Sequence, residues 1–415
     1  MSSMPQLARI AYERPRPVLT DIPQAVSQQF ATTPMAFPAG AEVAVAVGSR
    51  GIANLASIVR TTIRELKARG VEPFIVPAMG SHGGATDQGQ ADVLAAYGIT
   101  PTEMGCPVRS SMEVVELDST GLTTPAYMDR HAFHAEGIVV INRIKPHTDF
   151  HGRFESGLVK MIVIGLGKER QAFAMHRHGV HGLKHLVPQT AERILALGKI
   201  SLGLAVIENA YDETAKVELI PGHQILERES VLIQEAHQHL PRLPVDELDI
   251  LGVDRLGKDI SGTGMDTNVI GRIRIPGQPE PTNPRIKAIW VGDLTSASHG
   301  NATGMGLADV ITERFRSKID LAVTATNIVT SGFLERAKQP IAVPHDRAAF
   351  ELCHRAVGPV PIDQLRVARI RDTLHVNELF VSPAILNELS ALPEIRVLTP
   401  PRLAFLPNGE SVPFE

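Results

Sequence analysis

The sequence contains little cysteine and few aromatic residues, and neither sign of charge dominates it. Of 415 residues, 2 are Cys and only 13 Phe, 4 Tyr and 1 Trp are present, while 41 Lys and Arg stand against 45 Asp and Glu. Two cysteines cannot form a disulfide framework, so we predict a protein of the reducing cytoplasm. A nearly neutral chain with few stacking side chains lacks the basic surface that nucleic acids require. We therefore expect no nucleic-acid partner.

Long hydrophobic runs are also absent. The most apolar stretch, residues 159–166, is interrupted by Lys160 and is far shorter than the ~20 residues of a membrane helix. Residues 9–16 carry several charges, and no apolar leader segment precedes them. We therefore expect no membrane partner and a cytoplasmic location. With 43% hydrophobic and 21% charged residues, the composition is typical of a folded globular chain.

The order of hydrophobic patterns indicates an α/β fold. Valines alternate over residues 43–47 as in a buried strand, and apolar residues recur at helical spacing over residues 55–66. A second strand is predicted over residues 73–77 and a second helix from residue 87 to residue 98. Strands that alternate with helices over short loops predict a parallel sheet covered by helices.

The length predicts two such domains, each with a mainly parallel sheet flanked by helices. Residues 240–244 resemble a linker, so we place an N-terminal α/β domain at 1–245 and a C-terminal α/β domain at 246–394. In the second domain we expect, among other elements, a helix near residues 307–318. Residues 395–415 form a tail that is expected to pack back on either domain.

A glycine-rich loop follows the second predicted strand. Gly80, Gly83 and Gly84 leave backbone N–H groups accessible, and His82 lies among them at the carboxyl end of the sheet, where ligands bind in such folds. The spacing matches neither common nucleotide-binding loop. The pattern favours a functional histidine, and the alternative is a flexible loop that carries His82 incidentally.

The segment 143–160 holds two histidines, four cations and two acids directly after a predicted buried strand. Pro146 disfavours helical geometry for the residue before it, so we expect His147 on a loop. Lys160 interrupts an apolar run, and a partly dry setting would make its amine a nucleophile. The alternative is a lysine that extends its amine to the surface.

Four histidines cluster at positions 176, 178, 181 and 185. On a helix the last three would share one face and could bind a metal, but Gly179 and Gly182 weaken a helix there. We expect at most one or two of these histidines to be ligands. In the second domain, Lys258 lies in a loop of small polar residues, which is either a turn-rich connection or a site where this lysine meets a carboxylate or phosphate.

Four of these segments occur in an order that resembles the nickel-pincer lactate racemase superfamily, whose members racemise or epimerise 2-hydroxy acids. Residues 48–51 take the place of the family's Asp-x-Thr-Arg-Pro loop, and residues 80–83 that of Gly-Thr-His-Arg. Pro146-His147 leads through a glycine-containing stretch to Lys160, and His176 follows at the family's spacing.

The resemblance implies a role for each of these residues. Lys160 would hold the nickel pincer nucleotide, a nickel pyridinium-3-thioamide-5-thiocarboxylic acid mononucleotide, through a thioamide, and His176 would be the protein ligand to the nickel. His82 and His147 would be the acid/base pair while the substrate's Cα hydride passes reversibly to the cofactor. Arg50 would bind the substrate's carboxylate or stabilise the charged intermediate. The enzymes that build the cofactor are implied partners.

The sequence departs from the family's pattern at points that concern the substrate pocket. Val47 stands where the family has Asp. The interval from His147 to Lys160 is longer than in the racemase, so His151 competes with His147 for its role. Lys258 is only a candidate for the substrate-binding lysine of the second domain.

From these patterns we predict a racemase or epimerase of a 2-hydroxy acid, with its active site in the cleft between the two domains. One alternative is a non-catalytic protein that binds nickel or a phosphorylated ligand on the same scaffold. Another is a metal hydrolase that uses histidines of the 176–185 cluster, with Glu155 or Glu169 as its base.

Overall fold

The computed structural model describes residues 4–35, 37–48 and 51–414. The chain divides into two compact units. Arg16–Leu240 form the N-terminal unit, and Met1–Pro15 together with Pro241–Glu415 form the C-terminal unit. Among the helices of the described residues, none combines the length and apolar character needed to cross a bilayer.

Fifteen strands are present in the described residues. They are β1 Gln6–Tyr12, β2 Glu42–Val47, β3 Glu72–Pro77, β4 Val114–Leu117, β5 Ala126–Asp129, β6 Gly137–Arg143, β7 Ile200–Glu208, β8 Thr214–Pro221, β9 Glu247–Leu256, β10 Arg285–Leu294, β11 Val310–Thr312, β12 Ile341–Val343, β13 Val367–Ile370, β14 Glu378–Val381 and β15 Ile395–Leu403.

The α-helices of the described residues number fifteen as well. They are α1 Ile22–Thr32, α2 Leu55–Lys67, α3 Asp87–Ala96, α4 Pro101–Met104, α5 Arg130–His134, α6 Leu158–Lys160, α7 Lys168–His176, α8 Gly179–His181, α9 Val187–Ala196, α10 Ile225–His239, α11 Thr267–Ile270, α12 Glu313–Arg316, α13 Leu321–Ser331, α14 Asp346–Ala356 and α15 Pro383–Leu389. Two π-helical turns, Met161–Gly165 and Gly182–Leu186, follow α6 and α8.

The N-terminal unit is built on a five-stranded sheet with the order β3-β2-β6-β7-β8. The first four strands are parallel, and β8 is antiparallel to β7. The predicted alternation in β2 is explained by the core, because Val43, Val45 and Val47 pack against the apolar faces of α1 and α2. Helix α6 packs on β6 and β7, and helix α10 packs on β7. The predicted α/β class, with a mainly parallel sheet flanked by helices, is confirmed in this unit.

The C-terminal unit contains an eight-stranded sheet with the order β12-β11-β10-β9-β13-β14-β1-β15. Its first five strands are parallel, whereas β14, β1 and β15 are antiparallel to their neighbours. The sequence assigns residues 1–15 to the N-terminal domain, but in the structure β1 pairs with β14 and β15 and so lies in this sheet. The tail strand β15 pairs with β1 and covers what would otherwise be an open edge of the sheet.

The prediction of a helix near residues 307–318 is wrong for most of that range. Met305–Leu307 form a single 3₁₀ turn, Val310–Thr312 form β11, and only Glu313–Arg316 are helical. The β-branched residues of β11 are buried between β10 and β12. Strand pairing on both sides therefore overrides a pattern that is locally compatible with a helix.

Candidate active site

The carboxyl ends of β2, β3, β6 and β7 meet at one edge of the N-terminal unit's sheet, because these four strands are parallel. Two of the predicted site histidines follow such ends: His82 lies in the loop after β3, and His147 lies in the loop after β6. Arg50, which follows β2, lies outside the described residues. This edge is where ligands bind in open α/β sheets.

Lys160 and His147 are in direct contact. The Nζ atom of Lys160 lies 2.9 Å from Nε2 of His147, and both side chains are half-buried. Thirteen positions separate the two residues in the sequence, so the contact depends on how the loop between β6 and α6 folds back. The structure thus brings together two of the residues that the sequence predicts to act together.

His176 lies close enough to Lys160 to feel its charge. Burial of its ring lowers the pKa of His176, and the positive charge of Lys160 lowers it further, against weaker opposing effects of the Ala172 carbonyl and of Asp149. The residue keeps an exposed face at the end of α7. The lowered pKa keeps the imidazole neutral at pH 7, so that a ring nitrogen can offer a lone pair to a metal.

The orientation of the His147 ring is fixed by its own loop. Lys145 and Ser156 exchange backbone hydrogen bonds of 2.8 and 3.2 Å that close the base of the loop. The backbone N–H of His147 donates to Glu155 Oε2 at 2.6 Å, and the N–H of Asp149 donates to Nδ1 of the His147 ring at 3.1 Å. Phe150 stacks on the ring with 4.6 Å between centroids. These contacts leave Nε2 directed at Lys160.

The start of α6, which carries Lys160, is held by a buried carboxylate. Glu229 Oε2 accepts the N–H of Val159 at 2.9 Å, and Asn142 Nδ2 donates to the carbonyl of Gly157 at 2.7 Å. A Cβ atom at position 157 would lie 2.4 Å from Glu229 Oε1, so this position requires glycine. The tight approach places the first turn of α6 directly on Glu229.

The His82 loop is anchored from below by Gln90. The Nε2 atom of Gln90 donates to the carbonyls of Gly80 at 2.8 Å and of His82 at 3.2 Å. Gly83 has φ +66°, and a Cβ there would lie 2.6 Å from the backbone N of Gln90. The glycine is therefore needed both for its left-handed conformation and for close packing.

A buried ion pair supports Gln90 in turn. Lys168 Nζ lies 3.1 Å from Gln90 Oε1 and 3.1 Å from Asp129 Oδ2, and the Lys168 and Asp129 side chains are fully buried. Burial lowers the pKa of Lys168, although the Asp129 charge opposes this shift. The N–H of Gly80 also donates at 3.2 Å to the carbonyl of Gly165, the last residue of the π-helical turn that follows Lys160. The His82 loop and the Lys160 helix are thus packed together.

Two further charged residues at this edge were not singled out from the sequence. Arg143, at the end of β6, forms an ion pair with Glu208 at the end of β7, and both side chains are largely buried. Glu208 Oε1 also accepts the N–H of Ala53 at 2.7 Å. Both charges come at the ends of largely apolar stretches, residues 138–142 and 202–207, and this is a sequence signal by which both residues can be found.

The remaining predicted residues are placed elsewhere. Lys258 lies in the C-terminal unit, where its Nζ donates to Asn327 Oδ1 at 2.8 Å and its backbone N–H to Ser298 Oγ at 2.9 Å. In the 176–185 cluster, the rings of His181 and His185 lie 5.1 Å apart between centroids. Within the described residues, three ligand-type side chains converge at one place only, and it is not in this cluster. The three residues are His151, Glu155 and His237.

Comparison with known proteins gives one family match. Residues 30–185 match the family described as the lactate racemase N-terminal domain. No curated protein matches the chain. Among solved structures, a protein from Thermotoga maritima is similar at 17% identity and a TM-score of 0.46, over 68% of this chain and 72% of that one. The lactate racemase apoprotein from Thermoanaerobacterium thermosaccharolyticum is similar at 10% identity and a TM-score of 0.42, over 69% and 74%.

The matched segment contains the carboxyl ends of β2, β3 and β6 but not that of β7. It includes the loops that carry His82 and His147, the Lys160 helix and His176. Over residues 30–185, the chain therefore resembles the lactate racemase N-terminal domain.

Proposed function

We propose that this protein is a racemase or epimerase of a 2-hydroxy acid and that it works with a nickel pincer nucleotide held by Lys160 and His176. The match of residues 30–185 to the lactate racemase N-terminal domain supports a racemase-type role. The observation that carries the proposal further is the 2.9 Å contact between Lys160 Nζ and His147 Nε2, with His176 close enough for the lysine's charge to lower its pKa.

The residues present fit such a cofactor. A neutral imidazole is a suitable ligand for Ni(II), and the lowered pKa of His176 keeps it in that form. The amine of Lys160 lies at the end of α6, half-exposed, where an acyl group can reach it. In the proposal, His176 supplies the protein ligand to nickel and Lys160 the covalent attachment.

The contact with His147 places the proposed attachment point beside a proposed acid/base group. Lys160 Nζ lies 2.9 Å from Nε2 of His147, and the Nδ1 atom of the same ring accepts the N–H of Asp149. A group joined to Nζ would therefore lie next to this imidazole.

Within the loaded protein we assign His147 and His82 to proton transfer at the substrate's hydroxyl group. When bound, the cofactor supplies the acceptor for the hydride on the substrate's Cα and returns it. Imidazoles titrate near neutrality and can take up or release the hydroxyl proton at that pH. Two histidines on separate loops would serve substrates of either hand.

The test uses the full chain, produced alone and together with the enzymes that build the cofactor. Intact mass, nickel per chain and interconversion of enantiomers over a panel of 2-hydroxy acids are measured. We expect a mass increase only in the co-produced protein, lost in Lys160→Arg and retained in the control Lys184→Ala. His176→Ala should lose nickel, whereas His82→Ala and His147→Ala should keep nickel and lose turnover.

Two results would overturn the proposal. An unmodified mass together with no turnover in the co-produced protein would remove the cofactor assignment. Stoichiometric nickel without turnover over the whole panel would instead indicate a protein that binds the cofactor without catalysis.

A further inference from the structure

Glu155 is a buried carboxylate held between two histidines from different parts of the N-terminal unit. Its side chain is only 1% exposed. Glu155 Oε1 lies 2.9 Å from Nε2 of His237 near the end of α10, and Oε2 lies 3.3 Å from Nδ1 of His151. One ligand atom from each residue can be chosen so that all three lie within 4.8 Å of one another.

The carboxylate is charged despite its burial. Burial alone would raise the pKa of Glu155, but hydrogen bonds from His151, His237 and the N–H of His147 lower it to about 2. A buried anion with two imidazole nitrogens beside it offers a compact set of nitrogen and oxygen donors. Such a set is what borderline divalent metals bind in proteins.

We propose that His151, Glu155 and His237 form a second metal site, which binds a divalent cation of the zinc type. Tetrahedral zinc with bonds of about 2.0–2.2 Å separates its ligand atoms by about 3.3–3.5 Å. The present separations are 2.9 Å from His237 Nε2 to Oε1 and 3.3 Å from His151 Nδ1 to Oε2, and the three ligand atoms lie within 4.8 Å of one another. Side-chain rotations that draw the two nitrogens toward one carboxylate oxygen would bring the set to that range. Two histidines and one glutamate with an open fourth position are the ligand set of several zinc sites that retain a bound water.

The surroundings of the three ligands suit a metal that enters from solvent. The side chain of His151 is 38% exposed, so one side of the site is open. The rings of His151 and His237 meet edge to face at 5.1 Å between centroids, so the two imidazoles lie side by side next to the carboxylate. Glu155 is the buried ligand of the proposed site, and His151 is the ligand exposed to solvent.

Backbone donors keep the carboxylate in place and connect the site to the active-site loop. Glu155 Oε2 accepts the N–H of His147 at 2.6 Å, and Oε1 accepts the N–H of Gly152 at 3.2 Å. Supporting hydrogen bonds of this kind orient a ligand before the metal arrives. A bound cation would thus clamp the loop that presents His147.

This metal site does not depend on the proposed nickel cofactor, because neither Lys160 nor His176 is among its ligands. The test strips the full chain of metals with a chelator and titrates it with Zn²⁺ alone, following heat of binding and zinc per chain. Replacement by Co²⁺ reports the ligand geometry through its visible absorption. We expect one tightly bound Zn²⁺ per chain, with a four- or five-coordinate Co²⁺ spectrum.

Single-residue variants test the ligand assignment. Loss of a residue that only hydrogen-bonds to a metal ligand weakens metal binding by about 10–100-fold. Loss of a ligand itself should have a larger effect, so we expect His237→Ala and His151→Ala to weaken binding of Zn²⁺ by at least about 100-fold. The matched controls are His239→Ala, which removes another histidine of the last turn of α10, and His176→Ala. Both should bind Zn²⁺ as the wild type does, and the His176 variant separates this site from the nickel site.

The proposal is overturned if the wild-type chain binds no stoichiometric Zn²⁺, or if the His237 and His151 variants bind it as tightly as the wild type. Because the His151 ring is partly exposed, its removal does not threaten the core. A circular dichroism spectrum like that of the wild type would exclude unfolding as the reason for a loss. Failure of the nickel proposal would leave these zinc results unchanged.

Discussion

Replacing the buried Glu229 by Gln should remove a pH-dependent part of the protein's stability. The Glu229 side chain lies inside the N-terminal unit beneath the start of α6, and its Oε2 accepts the N–H of Val159 at 2.9 Å. Within the part of the chain that the structure describes, Oε1 has no hydrogen-bond partner. Burial raises the pKa of Glu229 to about 7, although the backbone N–H groups of Val159 and Leu158 act in the opposite direction.

The size and sign of the effect follow from this shift. A rise from 4.5 to about 7 corresponds to about 3 kcal/mol, since each pH unit is worth about 1.4 kcal/mol. Between these pH values the unfolded chain has lost the proton that the folded chain keeps. The contribution of Glu229 to the free energy of unfolding is therefore complete below pH 4.5 and falls as the pH rises to about 7.

A glutamine at this position does not titrate, and its carbonyl oxygen can still accept the N–H of Val159. The difference in unfolding free energy between Glu229→Gln and the wild type should therefore change by about 3 kcal/mol in favour of the variant from pH 4.5 to pH 7.5. Other titrating groups are common to both proteins and cancel in this difference. The amide–carboxyl exchange itself adds a constant offset.

Urea unfolding of the full chain at several pH values between 4.5 and 7.5 measures this difference. The control is Glu227→Gln, which removes an exposed carboxylate from the same helix. Infrared spectra at pH 6 should also show a protonated carboxyl band in the wild type that is missing from Glu229→Gln. Parallel pH profiles for wild type and Glu229→Gln would refute the reasoning, because they would mean that Glu229 ionises alike in the folded and unfolded chain.

The parts of the fold that depend on local patterns are predictable from the sequence. The strands β2 and β3 and the helix α2 lie within one or two residues of their predicted positions, because alternation and helical spacing are set by near neighbours. The place of β1 is different. Its partners β14 and β15 lie more than 360 residues further along the chain, and no local pattern specifies such a pairing.

The candidate site was predictable to a similar degree. The order of motifs singled out His147 and Lys160, which the structure shows in contact. His237 was missed because it lies 82 residues from Glu155 and no pattern distinguishes it from other helix-end histidines. Glu229 carried a signal that was overlooked, since it falls on the apolar face of α10 with Ile225 and Leu232.

Three further predictions concern buried charges around the site. Lys168→Met leaves Asp129 unpaired and should cost about 3–5 kcal/mol in urea unfolding, part of which Asp129→Asn restores in the double variant; unchanged stability of Lys168→Met would contradict this. Gln90→Ala removes the amide that holds the His82 loop and should speed hydrogen exchange at residues 80–86, while equal exchange rates would show that the loop is held otherwise. The pKa of Glu155 is lowered from 4.5 to about 2. Its contribution to the free energy of unfolding is therefore present above pH 4.5 and is lost as the pH falls through 2. Because a glutamine cannot be protonated in this range, Glu155→Gln should lack this loss of about 3 kcal/mol in acid titrations followed by circular dichroism. The same acid dependence in both proteins would mean that the two histidines do not stabilise the carboxylate.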